Sequence, residues 1–121
     1  MDVRAFADEL LRALADTGLF ERVALQAEGP IASGRAHVSE ELFVRFHFNA
    51  VTGTIAFALI EEQRRIWGID YDNRRGWHLH PADDPAEHVQ IAPLSVSDIV
   101  ARLQSVFLER KLSSGADADV V

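Results

Sequence analysis

Imidazole and carboxylate side chains are concentrated in one stretch of the chain, residues 66–88. His78 and His80 are two residues apart, so in an extended segment both rings point to the same side, about 6.6 Å apart along the backbone. Asp70 and Asp72 have the same spacing a few residues upstream. If the residues between the two pairs form a turn, the carboxylates and the imidazoles come close together.

Three interpretations of this stretch remain open. In the first, imidazoles and a carboxylate hold zinc or another divalent ion; the candidate metal ligands are His78, His80 and His88. In the second, one histidine removes a proton, another donates one, and an arginine of the turn stabilises charge on a phosphate, as in a metal-free ribonuclease. The candidate catalytic residues are His78, His80, Asp70, Asp72 and Arg74. In the third, Trp77 fills the core and the histidines bond to the backbone of the turn.

At each end of the chain, apolar residues recur at three- and four-residue steps and predict a helix. The first helix is predicted over residues 2–15, with Gly18 suited to a left-handed cap at its end. The second helix is predicted over residues 95–111, where Ser95 followed by Asp98 resembles a capping box.

Alternation of apolar and polar residues predicts a sheet between the helices. Strands are predicted over residues 20–28, 42–49, 54–60 and 65–71, followed by a brief one at 89–91. Residues 31–39 are predicted to form a loop or a short irregular strand that bends at Gly34. Short connections favour an antiparallel meander. The predicted fold class is therefore α+β, a meander of about four to six strands packed with an N-terminal and a C-terminal helix in two layers.

The two faces of this sheet are predicted to differ. The strand at 42–49 points Val44, Phe46 and Phe48 to one side and Phe43, Arg45 and His47 to the other. In the next strand the small residues Ala56 and Ala58 are predicted to let a helix lie close. The face without helices must meet solvent, a partner chain or the stretch 66–88.

Length and charge narrow the function classes. The chain has 121 residues, which predicts a single domain over residues 1–112 and a flexible tail over 113–121. Its net charge of −7 disfavours electrostatic binding of nucleic-acid phosphates over a large part of the surface. There is no cysteine, which excludes disulfides and thiolate metal sites. With neither a membrane-length apolar run nor a signal-peptide pattern, the predicted location is the cytoplasm.

The motif Tyr71-Asp72-Asn73-Arg74-Arg75-Gly76, followed by His78 and His80, resembles that of the TumE-like family of small prokaryotic proteins. Thr52-Gly53, Phe57-Ala58-Leu59-Ile60 and Gly68-Ile69-Asp70 also recur in uncharacterised bacterial and archaeal proteins of this size. The likeness covers residues 42–88 and includes neither helix. It implies the toxin component of a toxin–antitoxin pair, with an antitoxin protein as partner and RNA as a target.

The sequence therefore supports three functional hypotheses. The leading hypothesis is a TumE-like toxin with a histidine-centred, ribonuclease-type site. The alternatives are a non-catalytic module, which forms a homodimer or binds a partner through the free sheet face, and a divalent-metal-binding protein.

Overall fold

The computed structural model describes residues 1–82, 84 and 86–119, with side chains described as far as Arg110, and this part of the chain forms one sheet and two helices. Helix α1 spans Val3–Thr17 and helix α2 spans Val96–Asp119. The strands are β1 Arg22–Glu28, β2 Ile31–His37, β3 Leu42–Asn49, β4 Ile55–Glu61, β5 Arg64–Asp72, β6 Gly76–His80 and β7 Val89–Gln90.

The sheet is a simple meander. The strands lie in the order β1-β2-β3-β4-β5-β6-β7, so each one pairs with its neighbours in the chain, and every pairing is antiparallel. The predicted α+β class with terminal helices is confirmed. The sheet has seven strands, slightly more than the about four to six that the sequence predicts.

One added strand is β2, where the sequence predicts a loop or a short irregular strand. It pairs along its whole length with β1 on one side and β3 on the other. Gly34 is therefore part of a regular strand and does not form a bend. A Cβ atom at Gly34 would lie 1.9 Å from the carbonyl oxygen of Ala24 and 2.9 Å from the Phe46 ring. Glycine thus permits a close approach of the backbones.

The helix ends agree with the predicted caps. Asp2 accepts a hydrogen bond from the N–H of Ala5, and Gly18 adopts the left-handed conformation with φ of 66°. Ser95 and Asp98 bond reciprocally at 3.1 and 3.2 Å, which completes the capping box. Helix α2 continues to Asp119, so it extends into the predicted tail at 113–121, of which residues 120 and 121 lie outside the described part of the chain.

Both helices pack on one face of the sheet, the covered face, and form the core there. Phe6 of α1 stacks on Phe48 of β3 at 4.6 Å between ring centroids and lies 6.3 Å from the Phe57 ring of β4. Alternate strand residues complete the core, together with one side of α2: Ala32, Ala36, Val44, Phe46, Leu59, Trp67, Ile69, Val96, Ile99, Val100 and Leu103.

The other face of the sheet, the open face, carries no helix. Ala56 and Ala58 point to this side, because they pair with His47 and Arg45 in β3. The prediction that they let a helix lie close is wrong, since the helices contact the opposite face through Phe57. These small residues instead form part of the floor of a groove.

Candidate metal centre on the open face

A tight turn brings the two halves of the stretch 66–88 together. The Asp72 carboxylate accepts hydrogen bonds from the N–H groups of Arg74 at 2.9 Å and Arg75 at 2.8 Å. Gly76 closes the turn with φ of 71°, a conformation that glycine adopts without steric penalty. The predicted reversal of the chain is confirmed, and β6 returns alongside β5.

The register of this hairpin places both histidines of the His-x-His pair beside one aspartate. Asp70 pairs with His78, and Gly68 pairs with His80. The Oδ2 atom of Asp70 lies 3.4 Å from Nε2 of His78 and 3.0 Å from Nε2 of His80. Two imidazoles therefore converge on a single carboxylate oxygen.

His88 joins this cluster from the segment between β6 and β7. Its ring centroid lies 5.4 Å from that of His78 and 4.5 Å from that of His80. One potential ligand atom from each of the three imidazoles can be chosen so that all lie within 4.8 Å of one another. Three histidines can thus reach one metal ion. Pro85, three residues before His88, lies outside the described residues.

The histidines are held by their surroundings to different degrees. His78 and His80 are buried, Asp70 is partly buried, and His88 is exposed. The Nδ1 atom of His78 lies 3.3 Å from the carbonyl oxygen of Gly76. A carbonyl oxygen only accepts, so Nδ1 of His78 carries the proton and its Nε2 faces Asp70. A backbone carbonyl commonly orients metal-ligating histidines in this way.

Two pKa values in the cluster are shifted. Partial desolvation by the neighbouring side chains lowers the pKa of His88, and repulsion from His80 and His78 lowers it further when those rings are protonated. The neutral imidazole is the form that binds a metal. The hydrogen bond from the Arg75 N–H lowers the pKa of Asp72, and the bond from Arg74 acts in the same direction.

The predicted site residues are only partly brought together. Asp72 lines the same cavity of about 320 Å³ as Asp70 and the three histidines, whereas the Arg74 side chain does not line it. Arg75 and Arg65 line it instead. Asp72 also shapes the turn, as described above.

The remaining histidines lie outside the cluster. The Nδ1 atom of His37 lies 3.0 Å from the carbonyl oxygen of Ser39, and its ring contacts Phe43. His47 is on the open face, in register with Ala56 of β4, and Ala56 is in register with Asp70 of β5. One strand therefore lies between His47 and Asp70. Neither His37 nor His47 lines the cavity of the histidine cluster.

The sequence does not predict that two further polar residues on the open face, Arg35 and Arg45, form a pair. They lie directly opposite each other in β2 and β3 and line a cavity of about 530 Å³ that adjoins the histidine cluster. Only the pairing register brings them together, and β2 shows too little alternation to predict that register.

Comparisons with protein-family models, with curated proteins and with solved structures each gave no match.

Within the part of the chain that the structure describes, no helix is both long enough and apolar enough to cross a membrane.

Proposed function

We propose that this protein binds one divalent transition-metal ion through nitrogen atoms of His78, His80 and His88. Asp70 either supplies the fourth ligand, a carboxylate oxygen, or orients the histidines. The observation that carries the proposal is the approach of three imidazole ligand atoms to within 4.8 Å. Nitrogen donors with one carboxylate suit zinc and its neighbours in the first transition row better than calcium or magnesium.

The contact between His78 and Asp70 supports a cation at this point. When the His78 ring carries a single proton, its Nδ1 donates that proton to a carbonyl. Its Nε2 and the Oδ2 of Asp70 then both present lone pairs, at a separation of 3.4 Å. Two such groups repel unless a proton or a metal ion lies between them. Two ligands about 2.1 Å from a tetrahedral ion are about 3.4 Å apart, so the observed separation fits a shared metal.

The exposed side of the cluster leaves access for a substrate. His88 lies at the surface while His78 and His80 form the buried wall. When bound, a divalent cation supplies a concentrated positive charge that polarises an oxygen of a substrate or of water. The protein residues hold the donors in place, and Arg75 and Arg65 add positive charge at the rim.

Elemental analysis of protein purified without a histidine tag tests this proposal. We expect about one equivalent of metal per chain, because one three-histidine site is proposed. His88→Ala should lose most of the metal and keep its fold, because His88 is exposed. His47→Ala, on the same face outside the cluster, is the matched control and should keep the metal. Wild-type protein without stoichiometric metal, even after incubation with zinc, would rule the site out.

The same geometry favours a second candidate, a metal-independent acid–base site of the TumE-like, ribonuclease-type toxin. His78 and His80 share Asp70, so a proton rather than a metal can occupy the contact and be transferred. This candidate predicts RNA cleavage that persists in chelator, and growth arrest on expression that His80→Ala relieves. Normal growth with abundant wild-type protein, or cleavage abolished by chelator, would count against it.

A further inference from the structure

Two arginines face each other on the open face, where they also line a second cavity together with Glu40, Glu41 and Glu62. Arg35 and Arg45 are exposed and directly opposed in the β2–β3 register. Among the described residues, neither forms an ion pair with a carboxylate; Arg35 lies over the Phe43 ring at 4.8 Å. Like charges directly opposite in a sheet are destabilising, so this pair is better suited to an anion than to stabilising the sheet.

A floor of small residues connects this arginine pair with the histidine cluster. Across the sheet, Arg45 is in register with Ala58, Ala58 with Gly68, and Gly68 with His80. The arginine and the histidine are therefore three strand spacings apart, about 14 Å. The Arg65 side chain lies over Gly68 in this row, with its Cδ atom 3.7 Å from where a Cβ atom would be. An extended ligand that follows the row therefore also meets Arg65.

The charge of the groove contrasts with that of the whole chain. Although the net charge is −7, the cavity of about 530 Å³ is lined by Arg35, Arg45 and Arg65 and by a single carboxylate, Asp70. Asp70 and Arg65 also line the cavity of the histidine cluster, so the two cavities adjoin each other at these residues. The three guanidinium groups of this cavity would attract an anion more strongly than the acidic remainder of the surface does.

We propose that the open face binds a single-stranded phosphodiester chain, with one phosphate between Arg35 and Arg45 and another at the histidine cluster. Guanidinium groups bind phosphate oxygens through paired charge-assisted hydrogen bonds, and a phosphate between the two arginines removes their mutual repulsion. A chain with recurring phosphates can reach both points, whereas one inorganic phosphate cannot. The second contact rests on the proposed metal centre; the first does not.

The test is binding of a labelled single-stranded RNA of about 12 nucleotides, a length in the range of single-strand sites. The wild type is compared with Arg35→Gln/Arg45→Gln at several salt concentrations. The control is Arg4→Gln/Arg102→Gln, which removes the same charge from exposed positions on the helices.

We expect the groove variant to bind about tenfold more weakly for each arginine removed. The slope of log affinity against log salt should become shallower by about 0.7, because one phosphate contact is lost. The helix control should change either quantity little. Equal loss in both variants, unchanged binding in the groove variant, or a wild type that does not bind the strand would overturn the proposal.

Zinc titration of the same proteins separates this proposal from that of the metal centre. The groove variant should bind zinc like the wild type, because neither arginine is a ligand. Zinc-loaded wild type should bind the strand more tightly than chelated wild type, since one phosphate lies at the histidine cluster. If zinc does not bind but RNA binding still depends on the two arginines, the metal centre fails and the arginine subsite stands. If zinc binds but RNA binding does not depend on the two arginines, the arginine subsite fails and the metal centre stands.

Discussion

The covered and the open face of the sheet are built from alternate residues of the same strands, yet their chemistry differs. In β3, Val44, Phe46 and Phe48 pack beneath the helices, whereas Arg45 and His47 between them face outward. The covered face holds the apolar core that stabilises the fold. The open face holds the histidine cluster and the arginine pair, in which two like charges lie directly opposite each other. This contrast indicates that exposed residues of the open face, such as Arg45, can be changed with little loss of stability.

The largest expected effect comes from a cavity on the covered face. Phe46→Ala removes a fully buried ring and should lower the free energy of unfolding by about 3–5 kcal/mol. His47→Ala, the next residue on the opposite side, should change it by less than about 0.5 kcal/mol. Denaturant unfolding of both variants gives the comparison, and similar losses would contradict the division between the faces.

A smaller effect is expected from adding volume to each face. Ala36→Leu places three extra carbons in a core position with no solvent exposure and should destabilise by about 1–3 kcal/mol through overpacking. Ala58→Leu adds the same atoms to the open groove and should change stability by less than about 0.5 kcal/mol. If thermal unfolding showed Ala58→Leu to be the more harmful change, the groove would not be open as described.

The smallest expected effect has the opposite sign. Arg45→Gln relieves the repulsion with Arg35 across the strands and should raise the free energy of unfolding by about 0.2–1 kcal/mol at low salt. Added salt should reduce the difference because it screens exposed charges. A clear loss of stability in Arg45→Gln at low salt would show that the arginine supports the fold.

Much of the fold could be predicted because local patterns determine it. The helix caps at Gly18 and Ser95 follow from side-chain chemistry and spacing alone. The same is true of which β3 side chains point to each face of the sheet. The His-x-His pair could be placed on one side of a strand by the two-residue period. The short turn at 72–76 then makes its approach to Asp70 a reasonable expectation.

The remaining features depend on contacts between distant parts of the chain. Strand β2 carries little alternation, and its regular form comes from pairing with β1 and β3. Ala56 and Ala58 are compatible with either a helix above them or an open groove, and only the packing of α1 against Phe57 decides between these. The arginine pair required the register between β2 and β3, which a single sequence does not determine.

The central claim, that three particular histidines converge on one divalent ion, is tested most directly by NMR of the imidazole nitrogens during zinc titration. All five histidines can be followed in nitrogen-15-labelled protein without a tag. We predict that zinc shifts the ligating nitrogens of His78, His80 and His88, and that the shifts saturate together near one equivalent. His37 and His47 should be nearly unchanged. No shift in the three rings, or equal shifts in all five, would contradict the claim.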